Sequence, residues 1–122
     1  MLTIKNIENF FIEIPIPDLH DRHIIEIRYD PSNIKTDHYE FTVDEFMRDG
    51  TDNTLIRLGR IELKREPLLF GNQYEFDYIQ RGGSNGSHQL IGKDEMKSPT
   101  DFTEYLKKLI KNNKIPFGKE CW

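Results

Sequence analysis

Ser98-Pro99-Thr100-Asp101-Phe102-Thr103-Glu104-Tyr105-Leu106-Lys107-Lys108-Leu109-Ile110-Lys111-Asn112 carries the strongest periodic signal in the chain. Phe102, Tyr105, Leu106, Leu109 and Ile110 recur at i, i+3, i+4, i+7 and i+8, the spacing that lines apolar side chains along one stripe of an α-helix. Ser98 suits the N-cap, Pro99 fits a first turn that has no use for its missing N–H, and Asp101 complements the positive helix end. Lys107, Lys108, Lys111 and Lys114 gather toward the negative end. The spacing predicts an amphipathic helix over 99–112, with 113–122 as a flexible tail. Such a stripe needs a second layer to cover it.

The preceding residues supply strands for that layer. Residues 10–14 and 23–29 are β-branched and aromatic runs bounded by Pro, Asp and Asn, each too short for a helix. Pro15 and Pro17 remove two backbone donors and mark the connection between them as loop or edge. Residues 39–43 alternate like a strand, while Thr42-Val43-Asp44-Glu45 fits a capping box and Gly50 a helix stop, so a strand running into a short helix at 43–49 is expected. Along 55–63 neither face is wholly apolar. A bulge or bend at Gly59 reconciles the pattern, because one extra residue exchanges the two faces. Tyr74, Phe76 and Tyr78 alternate cleanly with Glu75 and Asp77, which makes 74–80 a strand. Gly71-Asn72 reads as a hairpin turn from 68–70, and the glycines and serines of 81–87 as a flexible loop into a short strand at 89–91.

Strands in succession followed by a helix predict a single α+β domain over 1–122. Its sheet is mostly antiparallel, of five or six strands, and packs against the C-terminal helix. With 122 residues, eight phenylalanines and five tyrosines the chain has material for one core. The first residues lack a basic segment followed by an apolar run, and no window approaches the ~18 apolar residues of a membrane span. The expectation is a cytoplasmic protein. Its single cysteine, Cys121, allows no internal disulfide.

Charge is distributed unevenly. Residues 1–53 hold twelve acids and five bases, whereas 54–122 hold nine acids and twelve bases. Asp37, Glu40, Asp44, Glu45, Asp49 and Asp52 fall within sixteen residues that contain Arg48 as their only base. Such a field repels nucleic acid and attracts a basic protein.

The catalytic patterns are thin. Glu62-Leu63-Lys64 with Asp52 has the composition of a PD-(D/E)xK nuclease, in which two carboxylates hold Mg²⁺ and a lysine stabilises the attacking water. His20 and His23, with Asp18 and His38, offer ligand types for zinc but no second tight ligand pair. His88 has no nucleophile at a triad motif. The 81–87 loop lacks the Gly-Lys-Ser/Thr ending of a phosphate-binding loop. The lysines of 107–114, with Arg81 and Lys93, make a basic patch, but a pI near 5.6 argues against a dedicated nucleic-acid binder. No cofactor is implied.

What remains is a protein that acts by binding another protein, its contacts centred on the six acids of 37–52. Small immunity proteins and antitoxins that block basic nuclease toxins share this physical profile, as a class and without a residue-level motif. The alternatives are the metal-dependent nuclease and a phage or plasmid structural or assembly subunit.

Overall fold

The computed structural model describes residues 2–15, 23–33, 37–49, 52–66, 73–82 and 85–111. Six strands follow one another in chain order: β1 (Phe11–Pro15), β2 (His23–Tyr29), β3 (His38–Asp49), β4 (Asp52–Glu66), β5 (Gln73–Gln80) and β6 (Asn85–Gly92). Each pairs antiparallel with its neighbours in sequence, giving one open meander of order β1 to β6. A four-residue helix, α1 (Ile4–Ile7), precedes the sheet, and α2 (Pro99–Lys111) follows it.

One face of the sheet is apolar because the strands alternate. Ile14, Ile25, Ile27, Tyr39, Phe41, Val43, Ile61, Leu63, Tyr74, Phe76, Tyr78 and Ile91 are buried there. The predicted stripe of α2 covers this face, with Phe102, Leu106 and Leu109 buried and Tyr105 and Ile110 packed at its margin. Phe102 lies 4.8 Å from Phe41 and 5.1 Å from Phe10 between ring centroids, and Tyr105 meets Phe76 edge-on at 5.5 Å. These are favourable aromatic separations, worth about 0.5–1.5 kcal/mol per pair beyond the area buried. Ser98 and Asp101 close the helix start reciprocally: Ser98 Oγ accepts the Asp101 N–H, and Asp101 Oδ2 accepts those of Lys97 and Ser98.

The N-terminal segment is fixed by similar means. Thr3 caps α1 through its side chain, and Asn6 returns a bond to the Thr3 N–H. Leu2 is buried, and its polar backbone is satisfied by two tyrosines. Its N–H donates to the Tyr74 hydroxyl at 3.2 Å, and its carbonyl accepts from the Tyr39 hydroxyl at 3.1 Å. This helix had no signal in the hydrophobic periodicity, being a single turn.

The short helix expected at 43–49 is instead the second half of β3. Val43 and Glu45 are fully buried, and every residue from His38 to Asp49 pairs with β4. Pairing on two sides, with β2 as well as β4, outweighs a local capping pattern worth about 1 kcal/mol. The loop expected over 81–87 is shorter than its composition implies, since Arg81 and Gly82 form a turn and β6 begins at Asn85. The hairpin strand expected at 68–70 and the tail at 113–122 lie outside the described residues.

The bulge expected at Gly59 is present. Val43 pairs with Gly59 and Asp44 with Arg57, so Leu58 is an extra residue on β4. Leu58 and Gly59 are therefore both buried, and the alternation of β4 is re-phased at that point. The Leu58 carbonyl accepts the Arg81 N–H at 2.8 Å and the Tyr78 hydroxyl at 3.4 Å, so the extra residue orphans no acceptor. A Cβ at Gly59 would overlap the Ile79 carbonyl oxygen, a backbone atom of the paired strand. Gly59→Ala is accordingly expected to lower stability by roughly 1–3 kcal/mol, the usual cost of overpacking, read as a lower urea midpoint at unchanged slope.

Candidate functional site

Alternation that buries one face leaves the other to the polar residues. Among the described residues the outer face carries Glu13 on β1, Glu26 and Arg28 on β2, His38, Glu40, Thr42 and Asp44 on β3, and Arg57, Arg60, Glu62 and Lys64 on β4. Glu75 and Asp77 continue it on β5, and His88 on β6. Register arranges them in rows. Glu13, Glu26, Asp44 and Arg57 form one, and Glu40, Glu62, Asp77 and His88 another. A third runs through Phe11, Arg28, Thr42, Arg60 and Ile79, with the Arg28 guanidinium 4.8 Å above the Phe11 ring. The face has seven carboxylates against four permanent cations among these residues.

The cations are interleaved with the acids. Asp44 bonds Arg57 at 2.5 Å, and Glu62 is approached by Arg60 at 3.5 Å and Lys64 at 3.7 Å. The last two are long for charge-assisted bonds, and both cations are substantially exposed, so each contributes at most about 1 kcal/mol. A shallow groove of about 420 Å³ opens beside the Asp44–Arg57 pair, lined in part by Glu26, Arg28, Asp30 and Leu55. Asp30, at its rim, accepts the Ser32 N–H at 3.0 Å, which holds its carboxyl below the usual range.

The six acids singled out in the sequence do not share this face. Glu40 and Asp44 lie on it. Asp37 stands just before β3 in a left-handed conformation, φ 56°, with Arg65 Nη1 3.8 Å away. Glu45, of opposite parity to Asp44, is fully buried on the helix-covered face and is not available to a partner. Asp49 and Asp52 are register partners at the end of the β3–β4 hairpin. The continuous acidic stretch is thus split by the period-2 geometry of a strand. Glu13, Glu26, Glu62, Glu75 and Asp77 join the outer face from other strands; the signal for them was their position between inward-facing apolar residues.

The nuclease pattern is not assembled. Asp52 and Glu62 are on the same strand, ten residues apart, which at about 3.3 Å per residue separates them by roughly 30 Å. No single cation bridges that distance. His23 opens β2 opposite Met47, whereas His38 lies at the other end of β3, so those two histidines do not converge either. Asp18, His20, Lys114 and Cys121 lie outside the described residues. Lys107, Lys108 and Lys111 are exposed on α2 and Arg81 at the β5–β6 turn; the Lys93 side chain is outside the description. No helix among the described residues is long and apolar enough to cross a membrane.

Two clusters of ligand-type side chains sit side by side on the outer face, His38 with Glu40 and Glu62, and His88 with Glu75 and Asp77. His-x-Glu and Glu-x-Asp at period 2 were their sequence signature. In the second, His88 Nδ1 is 2.7 Å from Asp77 Oδ1 and 3.8 Å from Glu75. The Asp77 hydrogen bond raises the His88 pKa, and the nearby Asp77 and Glu75 charges add to it. On the covered face, Tyr105 is pushed up to about 12, mainly by burial, and remains a neutral packing residue.

Because the folded-state pKa of His88 is above its ordinary value of about 6.5, its bond to Asp77 stabilises the fold fully below that value. The contribution disappears as pH rises through the higher folded midpoint. In an NMR titration the His88 ring is expected to show a midpoint above 6.5, and Asp77→Asn to bring it down toward 6.5. Comparison with protein families, curated proteins and solved structures finds no match for this chain.

Proposed function

We propose that this is a protein-binding inhibitor, of the immunity or antitoxin type, that neutralises a basic, nuclease-like toxin in the cytoplasm through the outer face of its sheet. The observation that supports this reading is that face itself: six strands wide, covered by neither described helix, and richer in carboxylates than in cations. Five strand spacings of about 4.8 Å and seven or eight residues at about 3.3 Å give a planar footprint on the order of 600 Å². Side-chain relief raises that toward the ~800 Å² per partner of a standard interface.

The chemistry of the rows supports a basic partner. Surplus carboxylates attract a cationic surface and take the place of the phosphates that a nucleic-acid enzyme holds. Arg28, Arg57 and Arg60, set among the acids, require matching acids or acceptors on the partner and thereby restrict which basic proteins fit. By register the acidic segment adds Glu40 and Asp44 to this face, Asp44 being 8% exposed and paired with Arg57, while Glu45 belongs to the interior. Asp37, Asp49 and Asp52 mark the two ends of β3 and the hairpin beside it.

The reading is tested by capture of the partner on the immobilised protein from a source-cell lysate, followed by measurement of Kd at low and high salt. The captured protein is expected to be basic, with affinity falling as salt rises. The double reversal Glu13→Lys with Glu26→Lys is expected to weaken binding roughly tenfold, about 1.4 kcal/mol for two peripheral charges. An acidic partner, or binding indifferent to both salt and reversal, overturns the proposal.

A further inference from the structure

The row that crosses β3, β4 and β5 places Glu40 opposite Glu62 and Glu62 opposite Asp77. Like charges directly across an antiparallel ladder are destabilising, their Cα atoms being only about 4.5–5.5 Å apart. On the same face, two residues before Glu40, stands His38. Its side chain is 16% exposed, and Nε2 is occluded from solvent and makes no hydrogen bond. Glu40 Oε1 lies 3.5 Å from that nitrogen. One ring nitrogen of His38 and one carboxylate oxygen from each of Glu40 and Glu62 all fall within 4.8 Å of one another.

An occluded imidazole nitrogen without a hydrogen bond costs about 1–3 kcal/mol, and two opposed carboxylates add repulsion. A cation seated among the three relieves both at once. We propose that His38, Glu40 and Glu62 form a binding site for a divalent first-row transition-metal ion, with Zn²⁺ as the best-matched probe. One imidazole and two carboxylates are a donor set of that class, whereas Mg²⁺ and Ca²⁺ favour all-oxygen shells. Ligand bonds of about 2.0–2.2 Å place tetrahedral donors roughly 3.3 Å apart, so small side-chain rotations complete the site and water takes the fourth position.

The neighbouring charges permit this. Lys64 and Arg60 approach Glu62 at 3.7 and 3.5 Å, and their side chains are 38% and 55% exposed, so both can turn into solvent when the ion binds. The adjacent cluster is less suited. His88 is 47% exposed and its Nδ1 is already engaged by Asp77 at 2.7 Å. The site stands independently of the proposed protein partner, since it needs only the three side chains.

Isothermal titration of the full chain with Zn²⁺ tests the proposal, together with NMR observation of the histidine ring nitrogens. The expected result is one equivalent bound, with the His38 ring resonances moving and those of His88 staying in place. His38→Gln and Glu62→Gln are each expected to weaken Kd by at least about tenfold, since loss of outer-shell partners alone costs about 10–100-fold. His88→Gln keeps the affinity of the unaltered protein, and Mg²⁺ and Ca²⁺ give no binding heat. Absence of Zn²⁺ binding, unchanged affinity in His38→Gln, or a moving His88 ring in the unaltered protein overturns the assignment. The ring observation needs no substitution, so it decides the matter even where a variant fails to fold.

Discussion

The extra residue on β4 is the constraint on which the rest of the sheet depends. A strand of fifteen residues with strict alternation would present Leu63, Ile61 and Gly59 to the core and then send Leu58 and Ile56 to the solvent face. Inserting Leu58 opposite the Val43–Asp44 step reverses that parity, so apolar residues remain on the inner side of both halves. The insertion works only where the backbones of β4 and β5 can approach closely, and Gly59 supplies the space. It also puts Arg57, rather than Leu58, opposite Asp44, which creates the shortest ion pair on the outer face. Core and surface are therefore set by the same local irregularity.

The two faces then divide the energetic work. On the inner face, buried rings of Phe10, Phe41 and Phe102 are in mutual contact while Phe76 meets Tyr105, and burial of each phenylalanine is worth about 1.5–3 kcal/mol relative to exposure. Tyr39 and Tyr74 add polar specificity by holding both backbone groups of Leu2, a contact across 72 residues of sequence in the case of Tyr74. Burial raises the Tyr39 pKa, which keeps that hydroxyl neutral and able to donate. On the outer face the pairs of Arg60 and Lys64 with Glu62 are long and their cations exposed, so they contribute little. Stability resides on one side of the sheet, and the other side is free to carry charge.

This division explains what could be read in the sequence. The stripe of α2, the strands at β1, β2 and β5 and the break at Gly59 were legible because each is a local pattern whose period matches the structure that forms. The second half of β3 was not, since Thr42 to Glu45 satisfies a helix-start pattern and only pairing with two neighbours decides otherwise. The acidic surface was half legible. A run of acids gives the sign of a region, but neighbours Asp44 and Glu45 face opposite sides once they are in a strand, and only register brings in Glu13, Glu26, Glu62 and Glu75. The grouping of His38 with Glu62, 24 positions apart, depends on the register of β3 against β4, which no single-chain periodicity encodes.

The outer rows also set several like charges directly across the ladder. A sheet surface optimised for its own fold would set opposite charges across each ladder, as Asp44 and Arg57 are set. Glu13 instead faces Glu26, Glu26 faces Asp44, Glu40 faces Glu62 and Glu62 faces Asp77. Like charges set directly opposite are destabilising, a cost that the aromatic core offsets. Repulsion between carboxylates is removed by whatever positive charge settles between them, a guanidinium, an ammonium or a metal ion. The inward aromatics thus hold in place an outward surface on which like charges meet across the ladder, the feature on which the proposed binding rests.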